Sequence, residues 1–142
     1  MNSYEIIKSK VDRLINIRLT EGVQPEELAN NIYLSDYKKI SFYKDNDYII
    51  GELTFEEELN SKLINTTLRY IYNKNKILLR IEEQIGCDIK IEWDRDIIEG
   101  TLISDIVDIL KSQLSDNVSK NFINSLPDDL KEKIESAYCR VA

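Results

Sequence analysis

The chain has 142 residues, a formal net charge of −7 and 42% apolar residues. This length fits one compact domain, or a head of about 45 residues on a larger body, and the apolar content is sufficient for a hydrophobic core. Histidine is absent, which excludes Ser-His-Asp and Cys-His nucleophiles, imidazole acid/base catalysis and every zinc site that needs His.

The glycines, the cysteines and the distribution of apolar residues exclude further classes of function. The four glycines are scattered, so neither a P-loop nor a dinucleotide-binding fingerprint can form. Cys87 and Cys139 are far apart in sequence, and we expect reduced structural thiols. No window approaches the roughly 20 apolar residues of a membrane span, and the N-terminus lacks the apolar run of a signal peptide. We therefore expect a cytoplasmic protein. For an enzyme, only carboxylate chemistry remains, with or without a hard metal ion, and our prediction is that the protein is not an enzyme and holds no cofactor or metal.

The charge is unevenly distributed along the chain. Up to Asn46, seven basic residues balance seven acidic ones, whereas from Asp47 onward 12 basic residues face 19 acidic ones. We therefore divide the sequence into a neutral head, residues 1–46, and an acidic body, residues 47–142, while one compact domain overall is also possible. A body of this charge repels nucleic acid and suits a protein partner or solubility alone.

The head begins with two predicted helices. Apolar side chains recur at three- and four-residue spacing over residues 3–19, and Asn2 and Glu5 have the spacing of a capping box at the start of that helix. Pro25 suits the first turn of a second, short helix over about residues 25–32.

The middle of the chain is compatible with two interpretations. Residues 40–55 carry Asp-Asn turn residues between β-rich runs, which predicts a hairpin. Residues 63–83 could form a second hairpin, whereas Thr54 and Glu57 form a capping box that would begin a helix over residues 55–72. We favour the helix, followed by strands over residues 76–83 and 88–93.

The C-terminal third is predicted to be helical. Apolar residues follow helical spacing from Ile98 to Leu114, a shorter segment runs from Val118 to Leu126, and Pro127 precedes a final helix. The predicted fold class is α+β, with helix-turn-helix-like helices at the N-terminus, a small antiparallel β element in the middle and C-terminal helices.

Residues 13–35, RLINIRLTEGVQPEELANNIYLS, resemble the phage-repressor (Xre/Cro-type) helix-turn-helix. The resemblance covers the N-terminal third of the chain. Its apolar positions would form a small three-helix core, Ala29 would let two helices cross closely, and Ser35 would cap the reading helix. The matching positions are Leu14, Ile17, Arg18, Gly22, Glu27, Leu28, Ala29, Ile32, Leu34 and Ser35.

The resemblance implies a nucleic-acid-binding surface at the start of the second motif helix. Tyr37, Lys38 and Lys39 would face the major groove, with Ser35 and Lys44 nearer the phosphates. Such a regulator is expected to act as a homodimer, because two half-sites multiply the affinity of a neutral head. Alternatively, the segment matches the motif only because its residues favour helices, and these helices serve packing or dimerisation.

A second candidate site lies in IKIEWDRD, residues 89–96. On a regular strand, Ile89, Ile91 and Trp93 would share one face while the charged residues share the other. The carboxylates could contribute to an anionic surface for a basic protein partner, or simply be the solvent face of a half-buried strand. The partner-binding candidates are Glu92, Asp94, Asp96 and Glu99.

Two functional hypotheses follow from the sequence. The first is a small DNA-binding transcriptional regulator of repressor type, whose acidic body dimerises or binds a partner. The second is an acidic, non-catalytic inhibitor, immunity or anti-defence protein that binds a protein partner.

Overall fold

The computed structural model describes residues 2–140. Five helices and five strands occur in these residues, together with a short 3-10 helix, Asn30–Tyr33. The elements in chain order are α1 (Ser3–Leu19), α2 (Pro25–Ala29), β1 (Tyr37–Asp45), β2 (Tyr48–Leu59), β3 (Lys62–Tyr72), β4 (Leu78–Ile85), β5 (Asp88–Asp94), α3 (Arg95–Gln113), α4 (Asp116–Asn124) and α5 (Asp128–Arg140). The α+β class is confirmed.

The chain divides into two compact units. A helical unit contains residues 1–19 and 97–142, and a β unit contains residues 20–96. The boundary that the charge distribution suggested, after Asn46, falls in the turn between β1 and β2, inside the β unit. None of the helices in the described residues is both long and apolar enough to cross a membrane.

The helical unit is built around one apolar core. The predicted helix over residues 3–19 is confirmed, and the side chain of Asn2 accepts a hydrogen bond from the Glu5 backbone N–H at 2.9 Å. Lys10 pairs with Asp105, and Arg18 pairs with Asp129 at 2.9 Å. The buried core side chains are Ile7, Val11, Leu14, Leu102, Ile106, Val107, Leu110, Ile123, Leu130 and Ile134.

The β unit is a five-stranded antiparallel sheet with the strand order β1-β2-β3-β4-β5. One face, the core face, carries the buried side chains Leu53, Tyr72 and Leu78, which form a cluster with Leu28 of α2. Gly51 lies beneath the Phe42 ring and Leu28, and a Cβ at this position would approach Phe42 to 2.8 Å. The absence of a side chain at residue 51 therefore lets the Phe42 ring pack across β2.

The helix predicted over residues 55–72 is wrong. These residues form the end of β2 and all of β3, joined by a two-residue turn at Asn60 and Ser61, both with positive φ. Thr54 does not cap a helix, since its hydroxyl meets the Thr67 hydroxyl across the strands at 3.1 Å, and Glu57 accepts from Thr66 at 2.9 Å. Cross-strand pairing of β-branched residues outweighed the capping-box pattern. The expected hairpin over residues 40–55 and the strands near 76–83 and 88–93 are confirmed.

Residues 20–24, which precede α2, lie against the end of the sheet and are hydrogen-bonded to it, and we call this segment the strap. Gly22 has φ +91° and sits against Leu78, where a Cβ would come within 2.7 Å of the leucine Cβ. The Leu78 N–H donates to the Glu21 carbonyl at 2.8 Å, and the Gln24 side chain donates to the carbonyls of Gly22 and Lys76. Glycine at residue 22 therefore serves a close approach of the strap to β4.

The recognition helix that the helix-turn-helix resemblance implies is not formed. The short helix predicted over residues 25–32 is present as α2 followed by the 3-10 helix, but the segment that would read DNA, Tyr37–Asp45, is strand β1. In β1, Ile40 and Phe42 point to the core face, while Lys39, Ser41 and Tyr43 point to the other. This two-residue period matches a strand and not a recognition helix.

Candidate protein-binding site

The β2–β3 hairpin extends past the neighbouring strands. Pairing with β1 reaches Phe55 and pairing with β4 reaches Thr66, so among the described strands residues 56–59 and 62–65 pair only with each other. We call this ribbon, residues 56–65, the acidic arm. Four residues at about 3.4 Å each give it a length of roughly 13 Å.

The acidic arm combines carboxylates with exposed apolar side chains. Glu56, Glu57 and Glu58 are consecutive, and Glu58 lies directly across from Leu63, which is 72% exposed. Glu56 forms an ion pair with Lys38, whereas Glu57 is held by the Thr66 hydroxyl. Protein interfaces commonly combine an apolar centre with surrounding charged groups, and the acidic arm has both kinds of side chain.

The acidic arm adjoins the face of the sheet that lies opposite the core face, and we call this second face the polar face. Three rows of opposed residues cross all five strands on this face, and their charged members are Lys39, Glu52, Arg69, Arg80, Glu82 and Asp94. The three positive charges match the three negative ones, so these three rows contribute nothing to the net charge of the unit.

Arg69 occupies the centre of the polar face. Its guanidinium donates to Glu52 and Gln84, both at 2.8 Å, and to Glu82 at 3.3 Å. Burial works to lower the pKa of Arg69, but the hydrogen bonds to Glu52 and Glu82 outweigh it and raise the pKa above its ordinary value. These groups hold one another in place, so the network stabilises the sheet.

The residues predicted to bind nucleic acid all lie on or beside β1. Ser35 is exposed before the strand, Lys38 pairs with Glu56, and Lys39 lies on the polar face. Tyr37 contacts the Phe55 ring edge-on at 5.7 Å between centroids, and Lys44 is exposed near the end of the strand. These side chains point to both faces of a strand instead of to one face of a helix.

The residues predicted to bind a partner belong to two different units and differ in exposure. Asp94 is buried and accepts from Arg80 at 2.8 Å, an interaction that raises the pKa of Arg80. Glu92 pairs with Lys90 on the same strand at 3.4 Å, and Asp96 is exposed. Glu99 belongs to the helical unit. Asp94 is therefore a structural residue and cannot offer its carboxylate to a partner.

A β-bulge explains why the predicted faces of β5 were wrong. Ile81 pairs with Trp93, but the next residue, Glu82, pairs with Ile91, so Glu92 is the extra residue of the bulge. Trp93 therefore packs with the core face, whereas Ile89 and Ile91 remain 57% and 46% exposed on the other side. Strict alternation along IKIEWDRD could not reveal this insertion.

The surface of each unit carries a depression. A depression of about 650 Å³ lies between α3 and α5, lined partly by Ile103, Val107 and Ala137, and one of about 350 Å³ lies on the polar face beside Arg69. Within residues 2–140 no three potential metal-ligating side chains of the His, Cys, Asp and Glu types come together.

Comparison of the chain with models of protein families, with curated proteins and with solved structures finds no match. The class that the structure defines is therefore a fold class: an α+β protein with an N-terminal helix, a five-stranded antiparallel sheet and three C-terminal helices.

The sequence interpretation missed the acidic arm, because it assigned Glu56–Glu58 to a helix. The Asn60-Ser61 pair between β-branched runs was the signal for a hairpin.

Proposed function

We propose that this protein is a non-catalytic binding protein whose acidic arm docks onto a basic surface of a protein partner, as an inhibitor or immunity protein does. The observation that carries the proposal is the arm itself: three consecutive glutamates on a ribbon that extends beyond the sheet, next to the exposed Leu63. Carboxylates steer a basic partner into encounter, and an apolar side chain adds contact area.

The distribution of charge between the two units supports this proposal. The β unit contains 16 acidic and 10 basic residues, a net charge of −6, whereas the helical unit contains 10 acidic and nine basic residues. Nearly all of the net negative charge of the chain therefore belongs to the unit that carries the arm. A local excess of this kind raises the association rate with a basic surface.

The DNA-binding regulator stays a prediction, but the structure gives it less support. Tyr37, Lys38 and Lys39 lie on a strand, where neighbouring side chains point to opposite faces, and not on one face of a helix. A β unit with a net charge of −6 releases few counterions from DNA, and counterion release supplies most of non-specific affinity.

The proposal is tested by affinity capture from the cells that carry this gene. The immobilised protein is compared with Glu56→Gln/Glu58→Gln, and captured proteins are identified by mass spectrometry. Glu57 is left intact because its bond to Thr66 is structural. We expect a basic protein that is retained by the parent at low salt and lost, or reduced about tenfold, in the arm variant.

A matched control removes two exposed glutamates from the helical unit, Glu132→Gln/Glu135→Gln, and is expected to retain the partner. Capture that is equal for the parent and the arm variant contradicts the proposal. So does retention on DNA-cellulose that is lost with Lys38→Glu/Lys39→Glu, because that result supports the regulator instead.

A further inference from the structure

β1 is an edge strand with its outer side exposed. It is the first strand in the order β1-β2-β3-β4-β5 and pairs only with β2. All side chains from Phe42 to Asp45 are exposed, and the one register shift of the strand lies before Lys39. Residues 39–45 therefore present a regular row of backbone N–H and C=O groups to which another strand can bind.

We propose that β1 pairs antiparallel with β1 of a second copy of this chain, around a two-fold axis at Phe42, to form a homodimer with a continuous ten-stranded sheet. In this register Phe42 opposes its own copy, Tyr43 opposes Ser41, and Asp45 opposes Lys39. A two-fold axis perpendicular to the sheet keeps each residue opposite one from the same face. The proposal is independent of the acidic arm.

The charges on β1 select this register. Asp45 and Lys39 both point to the polar face, and neither forms an ion pair within the described part of the chain. Pairing around Phe42 places these two opposite charges together twice. An axis one residue earlier, at Ser41, would put Lys44 opposite Lys38, and like charges at opposed positions destabilise a sheet.

Exposed apolar residues beside β1 supply the rest of the interface. The 3-10 helix contacts β1, and the side chains of Ile32, Tyr33 and Leu34 in and after this helix are 48%, 88% and 54% exposed. Phe42 is 40% exposed on the strand itself. Large exposed apolar side chains grouped at one edge mark an association surface, and they extend the small area that two paired strands bury toward the roughly 1,000 Å² of a stable interface.

The opposite edge, β5, is less suited to self-pairing. Its regular pairing is interrupted by the bulge at Glu92, and Lys90 already pairs with Glu92 within the strand. This edge also carries the exposed residues Ile89 and Ile91, so it provides a matched control.

The test measures self-association of the full chain by sedimentation velocity from micromolar to submillimolar concentration. We expect a concentration-dependent dimer in the parent. Asp45→Lys, which puts two lysines opposite each other at both ends of the paired strands, should raise the dissociation constant about tenfold or more. The reversed pair, Lys39→Asp with Asp45→Lys, should restore dimerisation. Both sites are exposed, so folding is expected to be retained.

The control variant Lys90→Glu/Glu92→Lys on the β5 edge should leave the dissociation constant unchanged. Hydrogen exchange gives a second readout, since amides of residues 39–45 should become more protected as concentration rises. A monomer at every concentration would overturn the proposal. A dimer insensitive to Asp45→Lys, or a reversed pair no better than the single variant, would overturn it equally.

Discussion

Two buried polar side chains, Tyr72 and Arg95, hold the strap that precedes α2. The Tyr72 hydroxyl donates to the Val23 carbonyl, and the Arg95 guanidinium donates to the carbonyls of Thr20 at 2.8 Å and Leu78 at 2.7 Å. Tyr72 is 0% exposed, and Arg95 lies 5.3 Å from the centre of the Trp93 ring. Because these bonds join residues distant in sequence, no local pattern could have predicted them.

We expect Tyr72→Phe to lower the free energy of unfolding by about 1–3 kcal/mol, because it leaves the Val23 carbonyl without its donor while keeping the ring. Urea denaturation measures this change. Tyr48→Phe is the control, since Tyr48 is 47% exposed, and it should alter stability by less than about 0.5 kcal/mol. Equal effects of the two variants would show that the Tyr72 hydroxyl does not fasten the strap.

Burial also raises the pKa of Tyr72 above its ordinary value of 10.0, and the nearby phenol of Tyr70 and carboxylates of Glu27 and Glu26 add to the effect. Folding therefore favours the neutral phenol, so this contribution to stability is fully present below pH 10 and is lost as the pH rises above it. We expect the free energy of unfolding to fall more steeply above pH 10 in the parent than in Tyr72→Phe. Parallel curves would contradict this assignment.

At the scale of elements, the sequence predicted the helices better than the sheet. The period of Ile7, Val11 and Leu14 and the cap at Asn2 identify α1, because these signals are local. Pro25 correctly indicated a short helix, but β1 follows instead of the recognition helix that the resemblance implies. Pairing of β1 with β2 decides its conformation, and such a tertiary contact overrides local propensity.

The candidate site was harder to predict for the same reason. Glu56, Glu57 and Glu58 suit a helix as well as a strand, and only the lengths of the neighbouring strands turn these residues into an extended ribbon. Asp94 was predicted to be available to a partner, but its pairing with Arg80 depends on the register of β4 with β5.

The turn of the acidic arm can be strengthened. Asn60 and Ser61 have φ values of 51° and 65°, a left-handed conformation that costs serine more than glycine. We expect Ser61→Gly, which completes the Asn-Gly pair preferred in two-residue hairpin turns, to raise the free energy of unfolding by roughly 0.5–1 kcal/mol. The midpoint of urea denaturation measures this change, and Ser104→Gly, at an exposed position in the interior of α3, should have the opposite sign. A lower midpoint for Ser61→Gly would contradict the turn conformation.

At the scale of the whole molecule, fold and charge divide along the same boundary. The helical unit is nearly neutral and holds the larger buried core, whereas the β unit has a net charge of −6 and carries the acidic arm and two exposed strand edges. This division explains how a chain with a net charge of −7 can present a concentrated negative surface.

The most direct test of the central claim is the association rate constant of the captured partner, measured by surface plasmon resonance at several ionic strengths. We expect Glu56→Gln/Glu58→Gln to lower this rate several-fold at low salt and to flatten its salt dependence, while Glu132→Gln/Glu135→Gln leaves both unchanged. Equal loss in the two variants would show that overall charge, and not the acidic arm, drives association. No loss in the arm variant would contradict the account outright.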